Sequence, residues 1–254
     1  MKLSCFYEGK HPKYNKPNYI SDIYDSTDGE SRFKEVIDDA KRGSDRISKH
    51  NTSIGGIYVF YAGKGSSKKI LVTAGLHGNE CIGPKVASMV LSTREIPSEA
   101  SVMVIPIMNP DGFIGLHRKN AKDEDSNRSF NKAENPYKSI QKAILDFKPT
   151  ICIDLHEWHE SDGCFAYTNI EGLEEKIAEI INYSGMSKTE KKKIHGEKVQ
   201  SGTIYSDVTK NDGTLIDWLN SKKFRYILPE AKTESDPWSQ ITYFKLIIDL
   251  AFSV

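Results

Sequence analysis

The residues best suited to chemistry are a histidine and a glutamate three positions apart, His77 and Glu80. They follow the apolar run 71–74, which predicts a buried strand, and their turn contains Gly75 and Gly78. Functional groups often lie where a buried strand ends at the edge of a sheet. An imidazole nitrogen and a carboxylate oxygen on one turn suit a zinc ion that still needs a third ligand.

A second apolar strand offers that third ligand. Residues 150–155 predict a buried strand, and His156 follows it directly. Two imidazoles and one carboxylate leave the fourth tetrahedral position open for water, which is typical of a catalytic zinc. His159 competes for this role, and the alternative for His77 and His156 is that both are surface histidines. We favour His77, Glu80 and His156 as ligands of one zinc ion, because His156 directly ends its strand.

The composition excludes several classes of partner. The chain has 254 residues, of which 38% are hydrophobic, so it can bury one sizeable core. Lys and Arg number 35, as do Asp and Glu, and the formal net charge is zero. A chain with this balance predicts neither a nucleic-acid surface nor a polybasic membrane patch. No apolar run approaches the roughly 20 residues of a membrane span.

The N-terminus and the cysteines bear on the compartment. The N-terminus shows no apolar segment typical of a secretory signal, so we expect a cytoplasmic protein. The four cysteines are few and dispersed, and none forms a Cys-x-x-Cys pair: Cys5, Cys81, Cys152 and Cys164. This spacing favours free thiols in a reducing compartment over disulfides.

The hydrophobic pattern predicts a single α/β domain over residues 1–254, in which 1–52 form an N-terminal extension packed on the catalytic part. Helices are predicted at 29–42, from 82 to about 93, and at 137–147, 171–183, 215–219 and 239–251. Strands are predicted at 53–62, 69–74, 102–108, 150–155, 164–168 and 225–228. Their alternation indicates a central mixed, mostly parallel β-sheet with helices on both faces.

Two long segments carry few cues for helix or strand. Residues 113–135 are polar, and a loop of that length inside a compact domain is often functional. Residues 185–203 are polar and rich in lysine, so we interpret them as a surface excursion, and His195 within them as solvated. Residues 109–112, Asn-Pro-Asp-Gly, predict a turn.

Further motifs follow the first metal motif in a defined order. They are Asn109-Pro110-Asp111-Gly112-Phe113, Asp125-Ser126-Asn127-Arg128-Ser129-Phe130, Thr203-Ile204-Tyr205 followed by Gly213-Thr214-Leu215-Ile216-Asp217-Trp218, and Tyr226-Ile227-Leu228-Pro229-Glu230. With the three ligands, they resemble the zinc metallocarboxypeptidase family, the carboxypeptidase A/B-like peptidases. The resemblance extends from about residue 53 to 250.

The resemblance implies catalytic roles for specific residues. Glu230 is the expected general base, which takes a proton from water and passes it to the leaving amine. Glu234 is a nearby rival, but the spacing from the preceding motif favours Glu230. Arg118 is expected to polarise the scissile carbonyl and stabilise the oxyanion. Asp125 is expected to orient His77.

The resemblance also implies how a substrate is held. Asn127 and Arg128 are expected to bind the terminal carboxylate of the substrate, Arg128 through its planar guanidinium. Tyr205 is expected to cap the bound substrate, although it could be an ordinary surface tyrosine. Ile216 lies near the position that determines specificity in the family. An aliphatic residue there favours an apolar or neutral side chain over a basic one.

One motif departs from the peptidase pattern. Asn79 stands where the peptidases usually carry an arginine, and His77-Gly78-Asn79-Glu80 resembles the related aspartoacylase and succinylglutamate desuccinylase enzymes instead. We therefore predict a zinc-dependent carboxypeptidase whose substrate carries a free carboxylate. The alternative is an amidohydrolase of N-acyl amino acids or of cell-wall stem peptides. A degenerate, non-enzymatic binding module is the remaining hypothesis.

Overall fold

The computed structural model describes residues 28–93, 95–207 and 210–254. The first part of the predicted N-terminal extension, residues 1–27, lies outside these ranges, and Cys5 with it. The helices are α1 (Gly29–Arg42), α2 (Ile82–Thr93), α3 (Pro110–Gly115), α4 (Lys138–Phe147), α5 (Glu174–Tyr183), α6 (Leu215–Ser221) and α7 (Pro237–Ser253). The strands are β1 (Arg46–Thr52), β2 (Gly55–Ala62), β3 (Lys68–Ala74), β4 (Ala100–Ile105), β5 (Ile151–Trp158), β6 (Phe165–Thr168), β7 (Lys193–Ile194), β8 (Glu197–Lys198), β9 (Thr203–Tyr205) and β10 (Tyr226–Lys232).

Eight of these strands form one mixed sheet in the order β1-β2-β4-β3-β5-β10-β6-β9. Its centre, β4-β3-β5-β10, is parallel throughout. Strands β1 and β2 add to one edge in antiparallel pairing, and β6 pairs antiparallel with β10 and parallel with β9 at the other. The predicted α/β fold with a mixed, mostly parallel sheet is confirmed.

Helices cover both faces of the sheet. Helices α1, α2, α5 and α7 pack on one face, and α4 and α6 with the long loop pack on the other. Strands β3, β4 and β5 are buried along nearly their whole length, which explains why they are rich in apolar residues. The side chains at the carboxyl ends of these strands are therefore held on a rigid base.

The N-terminal part of the described chain is integrated with this core. Helix α1 matches the predicted 29–42 and starts at Asp28, whose side chain accepts a hydrogen bond from the Glu30 backbone N–H at 3.2 Å. Val36 and Ile37 of α1 are buried in the core. Strand β1, which the sequence did not predict, is a largely exposed edge strand with the polar sequence RISKHNT.

Three further differences from the predicted elements concern the site. Residues Pro110–Gly115 form a short helix instead of a simple turn, because Asn109 caps it and Pro110 occupies its first position. Strands β5 and β10 continue beyond 155 and 228, so His156 and Glu230 lie within strands instead of after them. The supposed surface excursion contains the hairpin of β7 and β8.

Two further findings concern the cysteines and the helices. Cys81, Cys152 and Cys164 are buried free thiols. None of the helices in the described ranges combines the length and apolar character needed to cross a membrane.

Candidate active site

Three adjacent parallel strands deliver the central side chains of the site. His77 follows β3, His156 lies on β5 and Glu230 lies on β10. Strand β5 is paired with both of the other two, and the register places Glu230 directly opposite His156. The carboxyl ends of parallel strands meet at one edge of the sheet, so these three residues converge there.

The turn that carries His77 is held by the segment after β4. The backbone N–H of Asn109 donates to the carbonyl of Gly75 at 2.8 Å, and the Asn109 side chain accepts from the Gly112 N–H at 3.1 Å. Gly78 packs against this segment so closely that a Cβ atom there would lie 1.9 Å from the carbonyl carbon of Gly112. The Asn-Pro-Asp-Gly motif therefore supports the His77 turn.

The three predicted ligands form a compact buried cluster. The Nδ1 atom of His77 lies 2.5 Å from Oε1 of Glu80, and the Nδ1 atom of His156 lies 3.0 Å from its Oε2. One ligand atom from each of the three residues lies within 4.8 Å of the others. All three residues are at most 4% exposed. Two imidazole nitrogens and a carboxylate in this arrangement fit a zinc ion with an open coordination position.

Each histidine turns its other ring nitrogen toward a carboxylate. Nε2 of His77 lies 3.3 Å from Oδ1 of Asp125, and Nε2 of His156 lies 2.9 Å from Oδ2 of Asp154. The second oxygen of Asp154 accepts a hydrogen bond from the Thr73 hydroxyl at 2.7 Å. Histidines that bind metals usually have such a partner, which fixes the tautomer and the ring orientation. Both rings are thus oriented with Nδ1 toward Glu80.

The electrostatics of the cluster favour a cation. Burial lowers the pKa of His77 and of His156, but nearby carboxylates outweigh this effect and raise both values. Conversely, burial raises the pKa of Glu80, but the two imidazoles outweigh it and lower the value strongly. A buried carboxylate between two imidazoles requires positive charge, which protons or a divalent metal can supply. The chemistry of the donor set therefore fits the metal.

Glu230 occupies a different electrostatic environment. Burial raises the pKa of Glu230 to about 7. The charge of His156 opposes this shift, and the charge of Glu80 adds to it. A carboxylate with a pKa near neutrality is suited to accept and then release a proton. The rival Glu234 lies exposed in the turn after β10 and does not line the cavity.

Arg118 lies at the open side of the ligand cluster. Its Nη2 atom donates to Oδ2 of Asp125 at 3.1 Å, and its Nη1 atom lies 3.3 Å from Nδ1 of His77. Although burial alone raises the pKa of Asp125, its bond to His77 and the charge of Arg118 lower the value strongly. Asp125 thus links Arg118 to His77, a predicted metal ligand.

The predicted carboxylate-binding pair is also placed at the cavity. Asn127 is buried, and its side-chain oxygen accepts a hydrogen bond from the Leu215 N–H at 2.9 Å, at the start of α6. Because this bond occupies the side-chain oxygen of Asn127, the amide nitrogen is the group that can donate a hydrogen bond to a ligand. Arg128 is exposed and lines the same cavity.

A cavity of about 470 Å³ joins these groups. Ile216 lines it, as do all predicted site residues except Asp125 and Tyr205. Tyr205 ends the outermost strand β9, and its side chain is 40% exposed. Its neighbour Ile204 points into the core, so the alternation of side chains along the strand turns Tyr205 outward. The structure does not bring Tyr205 to the cavity, and its capping role stays a prediction.

Sequence reasoning missed several residues of the site. Asp154 was not among the predicted site residues, although its position two residues before His156 on a strand places both side chains on one face. His195 and Glu197 line the cavity although they belong to the supposed surface excursion. His159 lines the cavity as well, but it contacts the amide of Asn79 at 3.1 Å and lies outside the ligand cluster.

One family model matches part of this chain. The model of the succinylglutamate desuccinylase/aspartoacylase catalytic domain matches residues 66–188, just under half of the chain. None of the curated proteins matches the chain at a significant level.

Solved structures share the fold. A protein of Shewanella baltica OS155, provisionally named a metallopeptidase, is 16% identical with a TM-score of 0.72, and the match covers 88% of this chain and 91% of that one. The metallo-carboxypeptidase of Pseudomonas aeruginosa, in complex with (2-guanidinoethylmercapto)succinic acid, is 16% identical with a TM-score of 0.65, covering 87% and 68%. The murein-tripeptide amidase of Escherichia coli O157 is 19% identical with a TM-score of 0.57, covering 84% and 94%.

The matched segment contains both predicted ligand histidines and Glu80. The chain shares its fold with these solved structures, and its residues 66–188 match the succinylglutamate desuccinylase/aspartoacylase catalytic domain.

Proposed function

We propose that this protein is a zinc-dependent metallocarboxypeptidase that hydrolyses the C-terminal peptide bond of peptides. The observation that carries the proposal is the buried His77-Glu80-His156 cluster, which shares a cavity with Glu230 and with two arginines. A single zinc ion held by these ligands would lower the pKa of a bound water and polarise the scissile carbonyl. The protein supplies the remaining groups.

Proton transfer belongs to Glu230 in this proposal. Its register opposite His156 places it beside the metal ligands, where it can accept a proton from the attacking water. The same carboxyl group then donates the proton to the leaving amine. Arg118 lies at the mouth of the ligand cluster and stabilises the negative charge that develops on the carbonyl oxygen. Asp125 positions Arg118 and His77 together.

Substrate binding relies on the free carboxylate. Arg128 and the amide nitrogen of Asn127 bind it, and the hydrogen bond from Leu215 to Asn127 keeps that amide oriented. Ile216 contacts the side chain of the residue to be released. In this proposal, Tyr205 caps the substrate after a movement of its loop.

A second candidate activity is hydrolysis of an N-acyl amino acid, or of a cell-wall stem peptide, by the same groups. The match to the desuccinylase/aspartoacylase model and Asn79 beside Glu80 favour an N-acyl amino acid as the substrate. The fold shared with a murein-tripeptide amidase favours a cell-wall stem peptide. All these substrates present an amide bond next to a carboxylate-bearing residue.

The decisive experiment is mass spectrometry of a mixed peptide pool incubated with zinc-loaded protein. Half of the pool carries free C-termini and half C-terminal amides, and a chelator-treated sample is the control. The proposal expects loss of single C-terminal residues from the free-acid half alone. Succinylated and acetylated amino acids, and stem peptides, are tested in parallel.

The variant Glu230→Gln distinguishes an enzyme from a binding module. It keeps the volume of the side chain but removes the base, so hydrolysis should fall by at least about 100-fold while zinc content stays unchanged. If wild type and variant behave alike towards every substrate, the protein is not a hydrolase of this kind.

A further inference from the structure

The hairpin of β7 and β8 is built to reach the cavity. Its strands pair Lys193 with Lys198 and Ile194 with Glu197, which leaves a two-residue loop. The loop residues His195 and Gly196 both have positive φ, 49° and 84°. Positive φ at both positions is what a type I′ turn requires, and histidine is among the few residues other than glycine that are enriched at positive φ. The turn therefore places His195 at the tip of the hairpin.

Side-chain contacts fix this hairpin against the wall of the cavity. Ile194 is 4% exposed and packs into the core. The ring of His195 stacks on Trp158 with centroids 5.3 Å apart, and its Nδ1 atom lies 3.0 Å from the hydroxyl of Tyr167. Trp158 follows His156 on the same face of β5. The hairpin is thus continuous with the wall that begins at the metal ligands.

This hairpin places a carboxylate in the cavity. The side chain of Glu197 is 22% exposed, accepts a hydrogen bond from the Ser206 hydroxyl at 2.9 Å and lies 3.0 Å from the ammonium of Lys210. Asp212 and Asp217 line the cavity too, but their oxygens accept backbone N–H groups of the loop before α6. The partners found for Glu197 are side chains, which can exchange for a ligand without disturbing the backbone.

Lys210 is a displaceable partner. Its side chain is 43% exposed, and an ion pair of that exposure contributes little to stability. The flexible stem allows the ammonium to move into solvent when another cation enters. Ser206 keeps its bond to Glu197 in either case.

We propose that Glu197 is a specificity-determining residue that selects substrates whose released residue ends in an ammonium group, as a lysine side chain does. This inference rests on the proposed function, since it concerns the residue next to the hydrolysed bond. It reverses the preference expected from Ile216, which contacts the hydrocarbon stem while Glu197 takes the charge. The selecting residue comes from a hairpin whose sequence alone gave no sign of reaching the cavity.

The test compares lysine with norleucine, which has the same hydrocarbon stem and no amine, and with glutamate. Each is presented at the C-terminus of a blocked peptide and as an N-acetyl amino acid to zinc-loaded protein. We expect kcat/KM for lysine to exceed that for norleucine by about tenfold or more, because a partly buried carboxylate is matched only by the cation. In Glu197→Gln the ratio should fall to near one.

Two further variants sharpen the test. Glu190→Gln, an exposed residue on the same segment away from the cavity, should leave the ratio unchanged. Lys210→Met removes the internal competitor and should raise the ratio. A wild type that prefers norleucine or glutamate, or a ratio that Glu197→Gln leaves intact, overturns the proposal.

A failure of the proposed function is recognised separately. In that case no substrate of either type is hydrolysed by the wild type, norleucine derivatives included. Calorimetric titration of zinc-loaded protein with lysine and with norleucine then decides the question. Tighter binding of lysine that depends on Glu197 supports the proposal, and equal or absent binding overturns it.

Discussion

The Nε2 atom of His156 lies 2.9 Å from Oδ2 of Asp154, two residues earlier on strand β5. Because the other oxygen of Asp154 accepts the Thr73 hydroxyl at 2.7 Å, the carboxylate is held on both sides and cannot rotate away. The strand therefore supplies both a predicted metal ligand and the group that orients it. Asp125 does the same for His77 from the long loop.

We expect Asp154→Asn to weaken zinc affinity by about 10–100-fold, since the amide orients the ring poorly and lowers its basicity. Competition with a fluorescent chelator measures this change. Asp123→Asn, at a side chain that is 86% exposed, is the matched control and should bind zinc as the wild type does. Equal affinities for all three proteins would show that Asp154 has no influence on the metal.

Glu230 predicts how the stability of the metal-free protein depends on pH. Its pKa in the folded state is about 7, above the ordinary 4.5, so the folded protein holds this proton more tightly than the unfolded chain. The stabilisation is complete below about pH 4.5 and is lost as the pH rises through 7. Glutamine cannot ionise, so Glu230→Gln escapes this loss.

Urea denaturation in the presence of chelator at pH 5 and pH 8 tests that expectation. The stability of Glu230→Gln relative to wild type should increase by on the order of 1–3 kcal/mol between the two pH values, since a tenfold change in proton affinity is worth about 1.4 kcal/mol. A difference that is the same at both pH values contradicts the assignment.

The parts of the site that could be predicted from sequence share one physical origin. Strands β3 and β5 are buried on both faces and are rich in apolar residues, so the histidine near the end of each apolar stretch can be recognised in the sequence. His77 and His156 were found in this way. The ordered motifs of the resemblance then indicated Arg118 and Glu230, which both line the cavity.

The parts that could not be predicted depend on contacts between distant segments. Glu197 and His195 lie in a lysine-rich segment whose polarity is ordinary for a surface, and only the pairing of β7 with β8 turns them to the cavity. Strand β1 is an edge strand with little burial, so it has no apolar pattern to detect. The outward orientation of Tyr205 likewise follows from the register of β9.

The interface between α1 and α2 contains a buried lysine, which gives a prediction for stability. Lys85 of α2 is 4% exposed at its side chain and contacts the carboxylates of Asp39 and Glu35 on α1. The Asp39 side chain is 6% exposed, whereas that of Glu35 is 40% exposed. The two carboxylates should therefore differ in their effect on the free energy of unfolding.

We expect Asp39→Ala to destabilise the protein by about 2–4 kcal/mol, because it removes the buried partner of a buried ammonium. Glu35→Ala should cost about 1 kcal/mol or less, as for a half-exposed ion pair. Chemical denaturation of the two variants provides the comparison. Similar small losses for both would mean that solvent already compensates the charge of Lys85.

The final prediction concerns Gly78, between the ligands His77 and Glu80. A Cβ atom at this position would lie 1.9 Å from the carbonyl carbon of Gly112, and the nearest atoms all belong to the backbone of Gly112 and Phe113, so no flexible side chain can yield. Gly78→Ala should therefore displace the turn and weaken zinc binding by about tenfold or more, because a ligand moved by a fraction of an ångström no longer meets the metal.

Gly83→Ala, whose Cβ would meet Leu155 at 3.2 Å, is the control and should bind zinc nearly as the wild type does. Zinc stoichiometry by mass spectrometry, with circular dichroism to show that each variant is folded, measures the effect. A folded Gly78→Ala protein with full zinc affinity would show that the turn tolerates a shift away from Gly112.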